Sequence, residues 1–295
     1  MKSEHCSIAV VHGDPRRVLF RSKLVEIGLF ECPRNHPQFH DSGPIRDYVV
    51  VFPRQPVRIV HQNHADVVAS RQVITLYNDQ QEYRRQGISD RGDRSLWLRF
   101  RKAEVVEALH ASGRCHAALE RMPFAWTHAR CDAQTFLLQS GLYQDLVSSE
   151  GDAWLHIAET AMHLLHRAVQ GTDPGLINGQ KALVHATARR HQQLTRRCES
   201  LLASGYPEPW TLESIAAELA TTPFHLSRVF ARMTGQSIHQ YLIQQRLRAA
   251  MDQMTLQPGR SITDIGLAAG FSTPSHFTQT FRRHFGLTPR QFRAT

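Results

Sequence analysis

Histidine pairs are the first residues of this sequence whose types and spacing suggest chemistry. His36 and His40 form one pair and His61 and His64 another, and a β-barrel can hold zinc or iron through His and Glu on neighbouring strands. The close HxH pair followed by Glu is absent, and 18 histidines make chance spacings frequent. We therefore predict exposed or capping histidines, with no metal and no cofactor; a metal site is the less favoured alternative.

Cysteines are the next candidates, because thiolates act as nucleophiles and as zinc ligands. An odd number of thiols without a CxxC pair indicates a reducing compartment and no zinc knot. Cys198 lies near Arg190, Arg196 and Arg197 in the sequence, which could lower its thiol pKa and make it a sensor of oxidants, although we favour a packing role. The five positions are Cys6, Cys32, Cys115, Cys131 and Cys198.

The positive charge of the chain is concentrated in its last part. Residues 180–295 contain 14 Lys and Arg against 6 Asp and Glu, and so carry +8 of the net +9. Basic side chains displace the counterions that are condensed on nucleic-acid phosphates. A basic domain can also be merely well solvated, so this charge needs a motif before it indicates nucleic-acid binding.

The length and composition indicate about two globular domains. The chain has 295 residues, of which 41% are hydrophobic and 21% charged, and no run approaches the ~20 apolar residues of a membrane span. The amino terminus has one Lys followed by an acid, and the apolar run 8–11 is too short for a signal peptide. We expect a cytoplasmic protein that does not cross a membrane.

Short β-rich runs dominate the first hundred residues and are separated by Pro, Gly, Asn and Asp. This spacing predicts a sandwich or a small barrel. From Glu104 onward the β signals fade, and Ala153–Gln170 has the periodicity of an amphipathic helix. The predicted strands are Ile8–Val11, Leu24–Cys32, Tyr48–Phe52, Val57–His61, Val73–Tyr77 and Ser95–Phe100.

A cluster of helix-breaking residues marks the predicted domain boundary. Residues 171–175 read Gly-Thr-Asp-Pro-Gly, and they lie where the charge balance changes. We place the boundary at 171–180, with domains at 1–175 and 180–295. After it, Leu183–Ala203 is predicted as a long helix that prolines 207 and 209 prevent from continuing.

Two copies of one unit follow, at 211–233 and 261–285. Each begins with a hydroxyl residue able to cap a helix, Thr211 or Ser261, and breaks at Ala220 or Gly270. A second helix then starts with Thr-Pro, in which the threonine caps and the proline occupies the first turn. Two short helices joined by a tight turn place the second helix in the DNA major groove.

The repetition of the unit decides between two interpretations. A single unit could be an ordinary helical hairpin, but two copies in a basic domain favour two helix-turn-helix motifs. Ile238–Met254 has the apolar spacing of a helix that packs on both units. About 17 helical residues span ~25 Å, enough to hold two recognition helices on one face of a duplex.

The sequence resembles the AraC/XylS family of bacterial transcriptional regulators over residues ~180 to 295. The likeness rests on Gly270-Phe271 at the second turn, on the segments FRRHFG at 281–286 and TPRQFR at 288–293, and on HLSRVF at 225–230. Three positions depart from the family pattern. Ala220 stands where Gly is more usual, Gly266 replaces a usual Ala, and Gln279 stands where Arg is frequent.

The N-terminal half resembles, more weakly, the cupin-like domain that many such regulators carry. The resembling segments are 78–85 and 88–93, together with the short strands. The resemblance implies an α+β protein of two domains: a β-rich, cupin-like sensing and dimerisation domain with following helices, and an all-α domain with two helix-turn-helix motifs. It also implies a small-molecule effector, a homodimer, and contact with RNA polymerase if the protein is an activator.

The expected DNA-contacting residues lie in the first two turns of each second helix. Leu226 faces the core, so Phe224, Ser227 and Arg228 share the outward side. Arg suits guanine or a phosphate, and Gln suits adenine. The predicted DNA-binding residues are Phe224, His225, Ser227, Arg228, Ser275, His276, Thr278, Gln279 and Arg282.

Two further predictions concern function class and association. The alternative to a transcriptional regulator is a metal-dependent cupin enzyme or a DNA-repair enzyme that carries an AraC-like segment; the scattered cysteines disfavour repair, and we predict no catalytic residues. The apolar face of Ala153–Gln170 is predicted to pack on the barrel or on a second subunit, with Leu164 and Leu165 at its centre.

Overall fold

The structure is a computed structural model that describes residues 13–41, 43–62, 64–114, 122–148, 154–172 and 186–294. The predicted strand Ile8–Val11 and most of the predicted boundary 171–180 lie outside these ranges. Across the described residues, no helix is both long and apolar enough to cross a membrane.

The N-terminal part folds as two antiparallel sheets. The larger has six strands in the order β1-β2-β8-β3-β6-β9, and the smaller has the order β5-β4-β7. The chain therefore passes from one sheet to the other after β3 and returns after β5. The strands are β1 Arg16–Arg21, β2 Val25–Cys32, β3 Tyr48–Pro53, β4 Val57–His61, β5 Val67–Ala69, β6 Val73–Tyr77, β7 Tyr83–Gly87, β8 Asp93–Phe100 and β9 His128–Arg130.

The six-stranded sheet is apolar on both faces, because each face packs on a different layer. Alternating residues such as Leu29, Val50 and Leu98 pack against helices, in the largest core cluster. The intervening residues, such as Val49 and Trp97, face the three-stranded sheet in a separate cluster. The sheet is thus the middle layer of the N-terminal part.

Three helices cover the outer face of this sheet: α1 Lys102–Ala111, α2 Ala133–Ser148 and α3 Trp154–Gln170. The third helix was predicted to pack on the barrel or on a second subunit, and in the structure it packs on the six-stranded sheet. Leu164 and Leu165 are 0% exposed, in the same core cluster as the sheet and α2. These two leucines therefore do not form a surface for a second subunit.

Five of the predicted strands are confirmed; two have the predicted ends, and the other three differ at one end by one or two residues. Four strands were not predicted: β1, β5, β7 and β9. β1 and β7 are rich in arginine, β5 and β9 have three residues each, and none of the four has the apolar alternation from which strands are recognised. β9 also contradicts the expectation that β structure ends before residue 104. It is a strand because its backbone hydrogen-bonds to β6, which is distant in the sequence. Its own three residues do not indicate this pairing.

The C-terminal part is helical throughout its described residues, as predicted. The predicted helix Leu183–Ala203 corresponds to a helix that the structure describes from Ala186 to Ser204. The helices are α4 Ala186–Ser204, α5 Leu212–Glu218, α6 Pro223–Thr234, α7 Ile238–Leu256, α8 Ile262–Ala268, α9 Pro274–Phe285 and α10 Pro289–Ala294.

The two repeated units belong to different hydrophobic cores. The first unit, α5 and α6, packs with α4 around Leu226 and Phe230. The second unit, α8 and α9, packs through Phe277 and Phe281 in the cluster that also contains the six-stranded sheet and α2. Helix α7 contributes to both cores, with Leu242 in the first and Met251 in the second.

Candidate nucleic-acid interface

Side-chain caps fix the amino-terminal ends of both helices of the first unit. Thr211 and Ser214 cap α5 reciprocally, each side chain accepting from the backbone N–H of the other residue. Thr222 caps α6, because its Oγ1 accepts from the N–H of His225 at 3.3 Å, and Pro223 follows in the first turn. The start of α6 is therefore fixed by local sequence.

The turn between α5 and α6 contains a left-handed residue. Ala220 has a φ of 52°, and the equivalent Gly270 of the second unit has a φ of 93°. This conformation brings the Cβ of an L-residue close to a carbonyl oxygen, and glycine avoids that contact. The departure from the family pattern at Ala220 thus coincides with backbone strain.

Helix α6 has a buried face and an outward face, as predicted. Leu226 is 0% exposed, whereas Phe224 is 76% exposed and Ser227 and Arg228 are exposed. The Arg228 guanidinium lies 5.9 Å from the centre of the Phe224 ring. A large apolar side chain left in water beside a cation is typical of a surface that has a partner.

His225 is less free than the sequence predicted. It is half-buried, and its ring centre lies 5.6 Å from that of His191 in α4. This contact could not be predicted from the sequence, because His191 lies 34 positions earlier, in a separate helix. His225 therefore presents only part of its ring at the start of α6.

The second unit repeats the same construction. Ser261 caps α8, and Thr273 caps α9 by accepting from the N–H of His276 at 3.2 Å. Pro274 occupies the first turn of α9. The buried side of α9 consists of Phe277, Phe281 and Phe285, and its five predicted contact residues are all exposed: Ser275, His276, Thr278, Gln279 and Arg282.

Helix α7 connects the two units and is named the connector helix below. Ser237 caps it in a reciprocal pair with Gln240. Its 19 residues correspond to ~28 Å at the rise of an α-helix, slightly longer than the predicted Ile238–Met254. Since α7 packs in the cores of both units, it fixes the position of one recognition helix relative to the other.

Each recognition helix carries two exposed arginines that have no acidic partner among the described residues. In the described part of the chain, no carboxylate forms an ion pair with Arg228, Arg232, Arg282 or Arg283, and all four are exposed. Surface arginines that are not neutralised by the protein are free to contact phosphates. Part of the positive charge predicted for this domain thus lies on the exposed sides of α6 and α9.

Sequence reasoning missed the charged residues that the connector helix buries. Arg248 and Asp252 are 1% and 4% exposed, although the apolar spacing had defined the packed face of this helix. Together with Tyr241 and Gln245 they are spaced at intervals of four, three and four residues, as on one face of a helix. This spacing could have indicated a second, polar face of the connector helix that is also packed. This second face contacts the N-terminal part.

The alternative interpretation of Cys198 as an oxidant sensor is wrong. The side chain is 0% exposed, and burial, reinforced by the neighbouring Glu199, raises the pKa of its thiol to about 12. Burial likewise raises the pKa of the Cys131 thiol to about 12. A thiol with so high a pKa is a poor nucleophile at neutral pH.

The histidine pairs are dispersed over the β-rich part. The prediction of exposed or capping histidines is wrong for His61, which is 3% exposed and bonded to the Gln81 side chain at 3.0 Å. The ring centre of His61 lies 6.4 Å from that of His64. Nδ1 of His40 lies 3.1 Å from the carbonyl of Arg85. Among the residues described, no three His, Cys, Asp or Glu side chains come together as metal ligands would.

A cavity lies between the two sheets. Its walls are apolar where Val49, Val51 and Ile59 line it, and Tyr83 and Trp97 add aromatic surface. The indole N–H of Trp97 is buried and has no acceptor within the described parts of the chain.

A buried ion pair adds charge to the wall of this cavity. Nε of Arg85 lies 2.8 Å from a carboxylate oxygen of Asp93, and both residues line the cavity. Burial raises the pKa of Asp93 to about 6 against the opposing effect of Arg85. An apolar space with a few fixed polar groups is the usual form of a small-molecule site.

Comparison with known proteins agrees with this geometry. A family model described as a helix-turn-helix domain matches residues 215–295. The transcriptional regulator ArgR of Pseudomonas aeruginosa is 30% identical over 170 residues, which are 58% of this chain and 50% of ArgR. AdaA of Bacillus subtilis, named a bifunctional transcriptional activator and DNA repair enzyme, is 32% identical over 88 residues, 30% of this chain and 41% of AdaA. The chain thus spans about half the length of these relatives or less.

Among solved structures, ToxT from Vibrio cholerae matches 92% of this chain and 98% of its own, with 13% identity and a TM-score of 0.33. The two capped units and the matched model define a protein of the helix-turn-helix class. Residues 215–295 are therefore a helix-turn-helix domain, in agreement with the family resemblance of this part of the sequence.

Proposed function

We propose that this protein is a sequence-specific DNA-binding transcriptional regulator that responds to a small molecule. The observation that carries the proposal is the pair of exposed recognition helices, α6 and α9, each capped by Thr-Pro and both packed on one connector helix. Two such helices at a fixed spacing fit successive major-groove segments of one duplex. Each subunit then recognises a site of two parts, about 10 base pairs apart.

Charge supports the same proposal. The described arginines on α6 and α9 lack acidic partners, and the last 116 residues hold +8 of the net charge. Binding should therefore weaken steeply as salt rises, because each phosphate contact releases a counterion. Phosphate contacts give affinity and register, while Phe224, Ser227, Arg228, Thr278 and Gln279 would supply the base contacts.

Selection of binding sites from random duplex DNA by the full-length protein tests the proposal. We expect an enriched motif of two short blocks, about one helical turn apart. Gel shifts of the selected duplex across a salt series should then show a linear fall of log affinity with log salt. Recovery of no enriched sequence, or of affinity insensitive to salt, would contradict the proposal.

The cavity between the sheets supports an effector-binding role for the N-terminal part. Trp97 carries an indole N–H that has no acceptor among the described residues, and Asp93 has a carboxylate and Arg46 an exposed guanidinium at the same cavity. The apolar wall would bury the body of a small ligand, and these three groups would orient its polar atoms. We thus propose that an effector binds in this cavity. We also propose that the N-terminal fold is cupin-like and that the two domains comprise residues 1–175 and 180–295.

A thermal-shift screen of small carboxylic acids, sugars and amines would find the effector, because a ligand that binds only the folded protein raises the melting temperature. Trp97→Phe should abolish the shift for any ligand that uses the indole N–H. Trp210→Phe is the control, because the Trp210 indole donates to the Gly205 carbonyl at 2.7 Å, far from the cavity in sequence and fold. Equal loss of the shift in both variants would count against the cavity.

The remaining parts of the proposal concern context. We propose a homodimer in the cytoplasm, with RNA polymerase as a partner if the protein activates transcription. No catalytic activity is proposed: of the described cysteines, Cys131 and Cys198 are buried with raised pKa values. Sedimentation and metal analysis of the purified protein test these points, and stoichiometric bound zinc or iron would favour an enzyme.

A further inference from the structure

One face of the connector helix is polar and nevertheless buried. Tyr241, Gln245, Arg248 and Asp252 follow at intervals of four, three and four residues, so they form one stripe along about three helical turns. Each is at most 4% exposed. Polar groups persist in such a place where partners satisfy their hydrogen bonds and charges.

The turn between β5 and β6 supplies the partners at the start of the stripe. Gln72 donates a hydrogen bond from Nε2 to the carbonyl of Tyr241 at 2.9 Å. Gln245 donates from Nε2 to Oγ of Ser70 at 3.1 Å. A three-residue segment of the N-terminal part, residues 70–72, therefore follows the connector helix for more than one turn.

Arg248 extends from the connector helix into the N-terminal part. Its guanidinium donates to the carbonyl of Arg71 at 3.0 Å and to that of Cys131 at 2.6 Å. It also lies 5.2 Å from the centre of the Phe136 ring. Burial lowers the pKa of Arg248, and the two carbonyls stabilise its charge in place of water.

Asp252 ends the stripe with two buried ion pairs. One carboxylate oxygen lies 2.7 Å from Nη1 of Arg54 and the other 2.5 Å from Nε of Arg71. Side-chain exposure is 7% or less for all three residues. Two guanidiniums thus share one carboxylate, so removal of that carboxylate leaves two buried positive charges without the acidic partner that the described residues supply.

The two arginines that pair with Asp252 lie in two segments that connect the two sheets. Arg54 directly follows β3 of the six-stranded sheet and precedes β4 of the three-stranded sheet. Arg71 lies between β5 of the three-stranded sheet and β6 of the six-stranded sheet. Any change in the distance between the sheets therefore moves both arginines.

The same connections border the cavity. Pro53, which precedes Arg54, lines the cavity, as does Val57 at the start of β4. Ala69 and Thr75, on the strands either side of residues 70–72, line it as well. A ligand in the cavity would thus touch residues that lie next to the backbone segments from which the side chains of Arg54 and Arg71 extend.

We propose that Asp252 couples the cavity to DNA recognition. A change in sheet separation moves Arg54 and Arg71, these move Asp252 and the connector helix, and the connector helix sets the arrangement of α6 and α9. The proposal rests on the proposed function and assigns its regulation to a defined contact. Because coupling between two sites is reciprocal, binding of DNA must also change the cavity strands.

Hydrogen–deuterium exchange of the full chain, with and without the duplex obtained by site selection, measures this coupling from the DNA side. In the wild type we expect DNA to change the exchange rates of residues 66–77 by at least about twofold. In Asp252→Asn this change should vanish. Asp90→Asn is the matched control, since Asp90 forms an exposed ion pair with Arg34 at 2.9 Å, and it should behave as the wild type.

Arg54→Gln provides a milder variant if Asp252→Asn does not fold. It leaves the pair between Asp252 and Arg71, so we expect the response of residues 66–77 to decrease without disappearing. A wild-type response of this segment that persists unchanged in Asp252→Asn or in Arg54→Gln would overturn the proposal, as would a wild type that binds the duplex with no response. Failure of the wild type to bind any selected duplex would instead contradict the proposed function.

A double-mutant cycle tests the coupling from the cavity side. Ala69→Met adds volume to the cavity wall and should change the affinity for the selected duplex at least about threefold, although residue 69 lies outside the recognition helices. Combined with Asp252→Asn, the same substitution should have no effect. Equal effects of Ala69→Met in both backgrounds would overturn the proposal.

Discussion

A Cβ atom placed on Gly266 would lie 2.6 Å from Cδ1 and 2.8 Å from Cγ of Phe277. Gly266 is in α8 and Phe277 is in the recognition helix α9, so the missing side chain allows the two helices of the second unit to pack closely. The family more often has Ala at this position. The close approach of the Phe277 ring accounts for the departure in this chain.

Gly266→Ala should therefore destabilise the protein by about 1–3 kcal/mol, because overpacking forces either the ring or the helix to shift. Denaturant unfolding of the full chain measures the loss. Gly259→Ala serves as the control, since no atom of the described residues lies within 4 Å of a Cβ there. Phe277→Leu should recover part of the stability in the Gly266→Ala background, and an additive loss would show that the two residues do not compete for space.

The turns of the two units should respond in opposite ways to glycine and alanine. Ala220→Gly relieves a left-handed residue at φ 52° and should stabilise the protein by about 0.5–1 kcal/mol. Gly270→Ala adds a Cβ 2.7 Å from the Pro207 carbonyl oxygen as well as strain, and should cost about 2–3 kcal/mol.

Gly286→Ala separates the cost of backbone strain from the cost of the contact with Pro207. The φ of Gly286 is 81°, and in the part of the chain that the structure describes no atom lies within 4 Å of the added Cβ, so only the strain of about 1 kcal/mol is expected. Chemical denaturation of the three variants gives the comparison. Equal losses for the two glycine replacements would mean that the contact with Pro207 is absent.

Arg228→Ala and Gln279→Ala should relax base preference at different positions of the DNA site. The two exposed residues lie on different recognition helices, and one bidentate contact is worth about 1–3 kcal/mol of discrimination. Site selection with each variant should lose preference at positions about one helical turn apart.

Arg232→Ala is the control for the loss of charge. Arg232 is exposed in the last turn of α6, beyond the two turns expected to reach base edges, so its removal should weaken all sequences alike. If both test variants select the same bases as the wild type at every position, neither residue contributes to base recognition.

Acid should destabilise the N-terminal part through His61. Burial, reinforced by the nearby His64 and His128, lowers the pKa of His61 to about 4 from an ordinary value of 6.5. The unfolded chain therefore binds a proton that the folded chain excludes, and stability falls as the pH drops from 6.5 towards 4. The contribution of this one residue at pH 4 is about 1–3 kcal/mol.

His61→Asn should flatten the pH dependence of the unfolding free energy between pH 6.5 and 4. Its effect should be measured against His239→Asn, because His239 is exposed on the connector helix. Parallel pH profiles for wild type and His61→Asn would contradict the assignment.

The local signals of the helical part were strong enough to predict it. Thr222-Pro223 and Thr273-Pro274 fix the starts of the recognition helices through hydrogen bonds within three residues, and such contacts are visible in sequence. Exposure of the predicted contact residues follows from the same periodicity. Their contacts with bases stay a prediction, because no DNA is present in the structure.

Contacts between distant residues could not be predicted. Arg54 and Asp252 lie 198 positions apart, so nothing in the sequence around either residue indicates a shared ion pair. The strand β9 is recognisable only through its pairing with β6. The half-buried position of His225 likewise depends on α4, whose packing no local pattern specifies.

The division of the two units between different cores implies unequal cooperativity of unfolding. The first unit shares its core with α4, so it can open and close while the β-sheets stay folded. The second unit shares a core with the six-stranded sheet, and its opening exposes apolar surface of the N-terminal part. Amide protection should therefore decay earlier in α6 than in α9, and a fragment without the sheets would preserve the first unit better than the second.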